Sequence, residues 1–308
     1  TNPAVPNAQV AYIDANARLA ADATEKGDGG KVVVWADGVT QFNGKISAKG
    51  GAQGGNGGWV ETSGKRTLGF AGLVDTTAAK GSTGSLLLDP SDITIGFTNW
   101  PVATLSGGVF TFPSDANGTM TPSTITTQLA SSNVTIDTTS AMAGSGDIYV
   151  NNGVTWGSGN TLKLKATSGI YVSAPISGTG ATVAMQAGSA GITNTGPGTI
   201  SADKLEIISG GNVSLTGANA VRVNTIASNV TGTTTIESYA PGSSLTIGSV
   251  GSTTGMASSG ALTLYEYSTG ANIVVNANVS GGGAGLTKIG QTTTSGTLTV
   301  ASGKTVSG

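Results

Sequence analysis

Two residue types are missing altogether: the 308-residue chain contains no cysteine and no histidine. Thiolate and imidazole metal sites, cysteine nucleophiles, Ser-His-Asp triads and histidine proton shuttles are therefore excluded within it. Only carboxylates, lysine, arginine, tyrosine and hydroxyls remain as reactive groups. No disulfide can hold the fold, so stability has to come from burial and backbone hydrogen bonding. A protein exported unfolded across a membrane would avoid cysteine for the same reason. Charge is scarce too: Lys and Arg number 14 and Asp and Glu 16, together 10% of the chain, where ~25% is usual. The net charge of −2 does not suit a disordered chain, and scattered lysines offer no basic stripe for nucleic acid. Neither a heptad pattern nor glycine at every third position occurs, which excludes coiled coil and collagen. No apolar run approaches the ~18 residues of a membrane-spanning helix.

Small residues are abundant instead. Glycine alone accounts for 50 positions, with much Ala, Ser and Thr around it. The first hundred residues repeat. Leu19 aligns with Ile46 and Ala21 with Ala48 at a spacing of 27, while Gly29-Gly30 align with Gly57-Gly58, Phe42 with Phe70 and Gly44 with Gly72 at 28. A third copy starts at Leu73-Val74 and ends in LLLDPSDITI, residues 86–95. Further on, Ile236 and Tyr239 return as Leu264 and Tyr267, again 28 apart. Short alternating or β-branched runs, such as Val32 to Trp35, are separated by Gly-Gly, Asp-Gly or Asn-Gly pairs that permit positive φ. Helical periodicity is almost absent.

This pattern predicts an all-β parallel β-helix, a solenoid in which each strand stacks on its equivalent one turn later. Its narrow core takes Val, Ile, Leu, Ala and Thr, and its frequent corners take glycine. A β-sandwich would need more bulky aromatics than the 5% present. Coils of roughly 20 to 28 residues at ~4.8 Å would give about 11 to 15 turns and a rod of ~50 to 70 Å. One stretch departs from the pattern: Trp100-Pro101, Phe110, Phe112-Pro113 and Thr121-Pro122 precede Ile125 and Leu129, four apart. A loop or helix excursion is expected there, with Ser123 capping a helix of about two turns. The expected organisation is a β-helix over 1–95, the excursion over 96–131 and a β-helical continuation over 132–308.

The block GDGGKVVVWADGVTQFNGKISAKGGAQGGNGGWVETSG, followed by SLLLDPSDITIG, resembles the exoproteins of bacterial two-partner secretion, the filamentous haemagglutinin and high-molecular-weight adhesin group. The likeness is strongest over residues 5–95 and continues from 123 to 165. It implies a right-handed β-helical rod, exported to the cell surface or medium through an outer-membrane partner pore, that serves in adhesion, aggregation or fibre formation. The Asn-Pro-Asn-Gly or Asn-Pro-Asn-Leu motif of the family's secretion domain does not occur. The chain, which starts at Thr1 without Met, is therefore expected to be an internal or C-terminal part of such a protein.

Candidate sites are few, and no catalytic residue, metal ligand or cofactor is assigned. Nine of the 16 acids fall in residues 1–92 (Asp14, Asp22, Glu25, Asp28, Asp37, Glu61, Asp75, Asp89 and Asp92), mostly in turns where a short side chain bonds nearby backbone. The GGNGG of residues 54–58 lacks the Lys-Ser/Thr and the helix of a phosphate loop. Tyr239, Tyr265 and Tyr267 fall on the face opposite Leu262 and Leu264. Facing outward, they would form a flat aromatic strip for sugar rings or a partner. Asn117, Asn133, Asn212, Asn229 and Asn278 stand in Asn-x-Ser/Thr triplets, candidates for glycosylation. The expected partners are the secretion pore, a glycan or protein on a host or neighbouring cell, and further copies of the chain end to end or side by side. A carbohydrate-active β-helical enzyme and a purely structural self-assembling filament are the alternatives.

Overall fold

The computed structural model describes residues 6–97, 104–106, 109–111, 117–139, 144–242, 244–282, 287–291 and 296–308, with the backbone alone for 104–106, 109–111 and 117. About half of the chain is strand, and one helix, Pro122–Leu129, occurs among the described residues. The fold is an all-β parallel solenoid of about ten turns, fewer than the 11 to 15 expected. The residues fall into two compact units, Thr1–Ile148 and Tyr149–Gly308.

In the first unit each coil contributes three strands. The long sheet stacks Lys31–Ala36, Trp59–Gly64, Ser85–Asp89 and Asn133–Asp137. A second stacks Val10–Ile13, Val39–Phe42 and Thr67–Phe70, and a third Arg18–Ala20, Lys45–Ser47 and Leu73–Asp75. All of these pairs are parallel and in register. Val32 faces Val60 at a step of 28 residues, Leu19 faces Ile46 at 27, and Val60 faces Leu86 at 26, so the repeat seen in the sequence is the coil itself. Alternation sends Val60, Leu86 and Val134 into the core as one row, while Phe42 and Phe70 stack there with ring centroids 5.3 Å apart. Each such side chain contributes roughly 1.5–3 kcal/mol through burial.

The Gly-Gly corners are explained by crowding. The expected positive φ occurs at the Gly54-Gly55 pair, at 146° and 122°, but not at Gly29, Gly30, Gly57 and Gly58. A Cβ on Gly57 would lie 1.7 Å from the Thr76 carbonyl oxygen and 2.5 Å from the Gly84 amide. Two backbones meet at this corner with no room for any side chain.

Helix α1, Pro122–Leu129, closes the third sheet. Thr121 caps it, its Oγ1 accepting the Thr124 N–H at 3.2 Å, and Pro122 is the first helical residue. The cap is therefore Thr121 and not Ser123, because proline, with no N–H and a fixed φ, is suited to the position just after the cap. Ile125 and Leu129 are fully buried. Gln128 supplies what a next strand would: its Oε1 accepts the Val74 N–H at 2.9 Å and its Nε2 donates to the Gly72 carbonyl at 3.1 Å. Elsewhere in the excursion, Thr104–Ser106 and Val109–Thr111 form an antiparallel hairpin, and Asn117–Met120 runs parallel to Asp92–Ile95. Trp100-Pro101, Phe112-Pro113 and the Phe110 side chain lie outside the described residues.

The second unit uses shorter coils. Leu162, Val183, Leu205, Ile226 and Ile247 form one buried row of the long sheet, at steps of 21, 22, 21 and 21 residues. Ile170, Ile192, Val213, Thr234 and Leu262 form a second row in this unit. Ile176, Ile200 and Val221 form a third. The 28-residue spacing of Ile236 and Leu264 has a different origin from that in the first unit. One residue, Ala227, separates Ile226 from Ser228; in the next coil, residues 248–255 separate their register partners Ile247 and Met256. The extra residues form an antiparallel hairpin, Ser249–Val250 with Thr253–Thr254. It folds against the outer face of Lys204–Ser209 and Thr225–Val230. It buries Glu206, whose Oε1 accepts the Ser252 N–H at 2.8 Å and the Ser252 and Thr253 hydroxyls at 2.9 Å each.

Candidate functional site

Several polar turn residues bond to the neighbouring coil. Asp28 Oδ1 accepts the Asn56 N–H at 2.7 Å, and Asn56 Oδ1 accepts the Ser82 N–H at 3.0 Å. Asn194 does the same for Thr216, Asn212 for Thr233 and Asn272 for Thr297, each at 2.9 Å. The Asp89-Pro90-Ser91-Asp92 corner grips both ways. Ser91 Oγ donates to the Lys65 and Arg66 carbonyls at 3.1 and 3.0 Å, and the buried Asp92 carboxylate accepts the Ser145, Gly146 and Asp147 N–H groups at 3.2, 2.5 and 3.0 Å. Of the acids expected to bond nearby backbone, Asp14 and Asp75 do so, accepting the Asn16 and Thr77 N–H groups at 2.8 and 3.0 Å, whereas Asp22, Asp28 and Asp92 tie one coil to the next.

The tyrosines form a ladder on the outside of the second unit. Tyr239, Tyr265 and Tyr267 face outward and are half-buried, whereas Leu262 and Leu264 are fully buried. Tyr239 and Tyr267 have centroids 5.1 Å apart and planes 16° apart, and Tyr265 meets Tyr267 edge-on at 6.4 Å and 80°. The 5.1 Å separation is close to the ~4.8 Å between stacked strands, so each ring covers a face of its neighbour. The expected flat strip is thus a stack that presents mainly ring edges and hydroxyls. Tyr149 and Tyr171 repeat the arrangement at 4.9 Å and 13°. Tyr267 Oη donates to Glu237 Oε1 at 3.4 Å, and partial burial followed by the Glu237 charge holds its phenol above the usual tyrosine range.

The glycosylation candidates differ in how far their side chains are engaged. Asn229 stands exposed in mid-strand. Asn212 and Asn278 are exposed, with Oδ1 accepting Thr233 and Thr305 N–H groups. Asn133 donates from Nδ2, the atom that would carry a sugar, to the Thr83 and Gly84 carbonyls at 3.0 Å. The Asn117 side chain lies outside the described residues.

One surface carries charges that the fold does not neutralise. Strands Arg18–Ala20, Lys45–Ser47 and Leu73–Asp75 line a groove of about 290 Å³ in the first unit. Outward rows run Arg18, Lys45, Leu73 and Ala20, Ser47, Asp75. In the second row Lys49 Nζ meets Asp75 at 2.8 Å. Burial pushes the Asp75 carboxyl upward, but Lys49 and the Thr77 bonds outweigh it and hold the carboxyl below its usual range; Lys49 is raised in turn. Asp22 accepts the Ser47 hydroxyl and the Lys49 N–H at 2.8 and 2.7 Å. Arg18 and Lys45 are exposed neighbours with no ion pair among the described residues. The alignment of Leu19 with Ile46 already places Arg18 on Lys45, so this pair is legible in the repeat.

No family model, curated protein or solved structure matches the chain.

Proposed function

We propose that this chain is a structural and adhesive scaffold segment of an exported bacterial surface protein. It would pass through an outer-membrane partner pore and hold contact surfaces away from the cell, against a glycan or protein of a host or neighbouring cell. The observation that carries the reading is where the polar groups are used. Asp28, Asn56, Ser91, Asp92, Asn194, Asn212 and Asn272 each bond across from one coil to another. A chain with few charges and no disulfide that uses its polar side chains in this way is built for a persistent stack. The blocks carrying the resemblance to two-partner-secretion exoproteins coincide with the coils of the first unit, which supports the same reading. Many weak contacts on such a support add through effective concentration.

The test is to express the complete gene with and without its cognate pore and to measure antibody access on intact cells, then cell binding after deletion of residues 6–308. Surface exposure that depends on the pore, and adhesion lost with the segment, are the expected results. Retention inside the cell with the pore present would overturn the proposal, as would release of oligosaccharides from polyuronates by the purified chain.

A further inference from the structure

We infer that the groove over Arg18–Ala20, Lys45–Ser47 and Leu73–Asp75 binds a carboxylated glycan, with the carboxylate of one sugar held between Arg18 and Lys45. Parallel register places these two residues side by side, at the ~4.8 Å strand spacing. Like charges in that position repel and lower stability unless an anion lies between them. The other charged groups beside this pair have partners: Lys49 is paired with Asp75, and Asp22 is bonded to Ser47 and to the Lys49 backbone. The contrast within one groove distinguishes Arg18 and Lys45 from ordinary solvated cations.

Charge complementarity selects the class of ligand. Two cations, one of them a guanidinium able to take a carboxylate through two parallel N–H bonds, match a single negative group. Asp75 on the far side of the groove would repel a continuous polyphosphate but can accept hydrogen bonds from sugar hydroxyls. Leu73, 36% exposed beside Lys45, provides apolar surface for the carbon face of a sugar ring. An acidic sugar, with one carboxylate beside hydroxyls and a C–H face, satisfies all three features. The inference deepens the scaffold reading by naming the chemistry of one contact surface, and it rests on that reading only for where the ligand is met.

The experiment titrates the intact 308-residue chain with trigalacturonate, with maltotriose and inorganic phosphate as comparison probes, by calorimetry at low and at moderate salt. The expected result is saturable binding of trigalacturonate that weakens with salt, none of maltotriose, and a loss of about tenfold or more in Arg18→Gln/Lys45→Gln, since charge-assisted bonds are the strong ones. The Lys45→Glu variant provides a second readout: it should lose binding while melting no lower than the parent, because Arg18 gains a partner. No saturable binding by the parent, unchanged affinity in the double variant, or displacement of trigalacturonate by phosphate at equal concentration would each overturn the inference. Export of the full-length double variant is measured in parallel. A failure there counts against the scaffold reading and not against the groove.

Discussion

At the scale of single residues, the corners of the first unit are set by contact distance. Gly57 sits where the backbones of Thr76 and Gly84 would lie 1.7 and 2.5 Å from an added Cβ. Gly57→Ala should therefore cost about 3 kcal/mol or more, since it forces main chain apart and no flexible side chain can yield; urea denaturation followed by circular dichroism checks this. A charged pair on the surface behaves differently. Asp75 is held below its usual range and Lys49 above its own. A carboxyl depressed in the folded state contributes stability that is fully present above the unfolded value and lost as pH falls through the folded one. The Lys49→Met variant should therefore be less stable than the parent near neutral pH by less than about 1 kcal/mol. The difference should start to shrink as pH falls through about 4 and vanish only below the depressed folded value, where Asp75 is protonated in the folded state as well. Paired urea titrations at pH 7 and pH 3 measure it.

At the scale of elements, two additions to the plain coil each bond the strand they cover through one polar side chain. Gln128 of α1 takes the place of a strand edge for Val74 and Gly72. Replacing it with Leu leaves a buried donor and acceptor unsatisfied, and should cost about 2–4 kcal/mol, with amide exchange accelerated first at Val74. The hairpin of residues 249–254 is anchored on Glu206. Replacing residues 248–255 by a single Ala, together with Glu206→Thr, restores the length of the preceding coil. That variant should keep its β-sheet circular dichroism and cooperative melting; loss of the folded signal would show that the hairpin is integral to the stack.

The same elements show how far the fold can be read from sequence. Strand positions, core alternation and the steps of 27 and 28 in the first unit are visible because each coil repeats its glycine corners and its Phe42–Phe70 position. The spacing of 28 between Ile236 and Leu264 is equally visible and yet misleading. A shorter coil plus an inserted hairpin gives the same count, and composition does not distinguish Ser, Thr and Gly in a hairpin from those in a corner. The roles of Gln128 and Asp92 were hidden because each partner is over 50 residues away. The tyrosines' outward direction follows from alternation, but their face-to-face stacking depends on the coil repeat. Arg18 and Lys45 needed only the repeat alignment carried one residue further.

At the scale of the whole molecule, the account rests on parallel strands stacked in register within each unit. The chain has no native cysteine, so spin labels can be placed without background. Thr193, Ser214, Thr235, Thr263 and Lys288 form one outward row on successive strands of the second unit. The most direct measurement is electron paramagnetic resonance on chains labelled at Lys288 and, in turn, at Thr193, Ser214 or Thr235. The account predicts backbone separations of about 19, 14 and 10 Å, shortening by one strand spacing at each step. Separations that do not shorten in that order, or that differ by more than a strand spacing from one coil to the next, would contradict it.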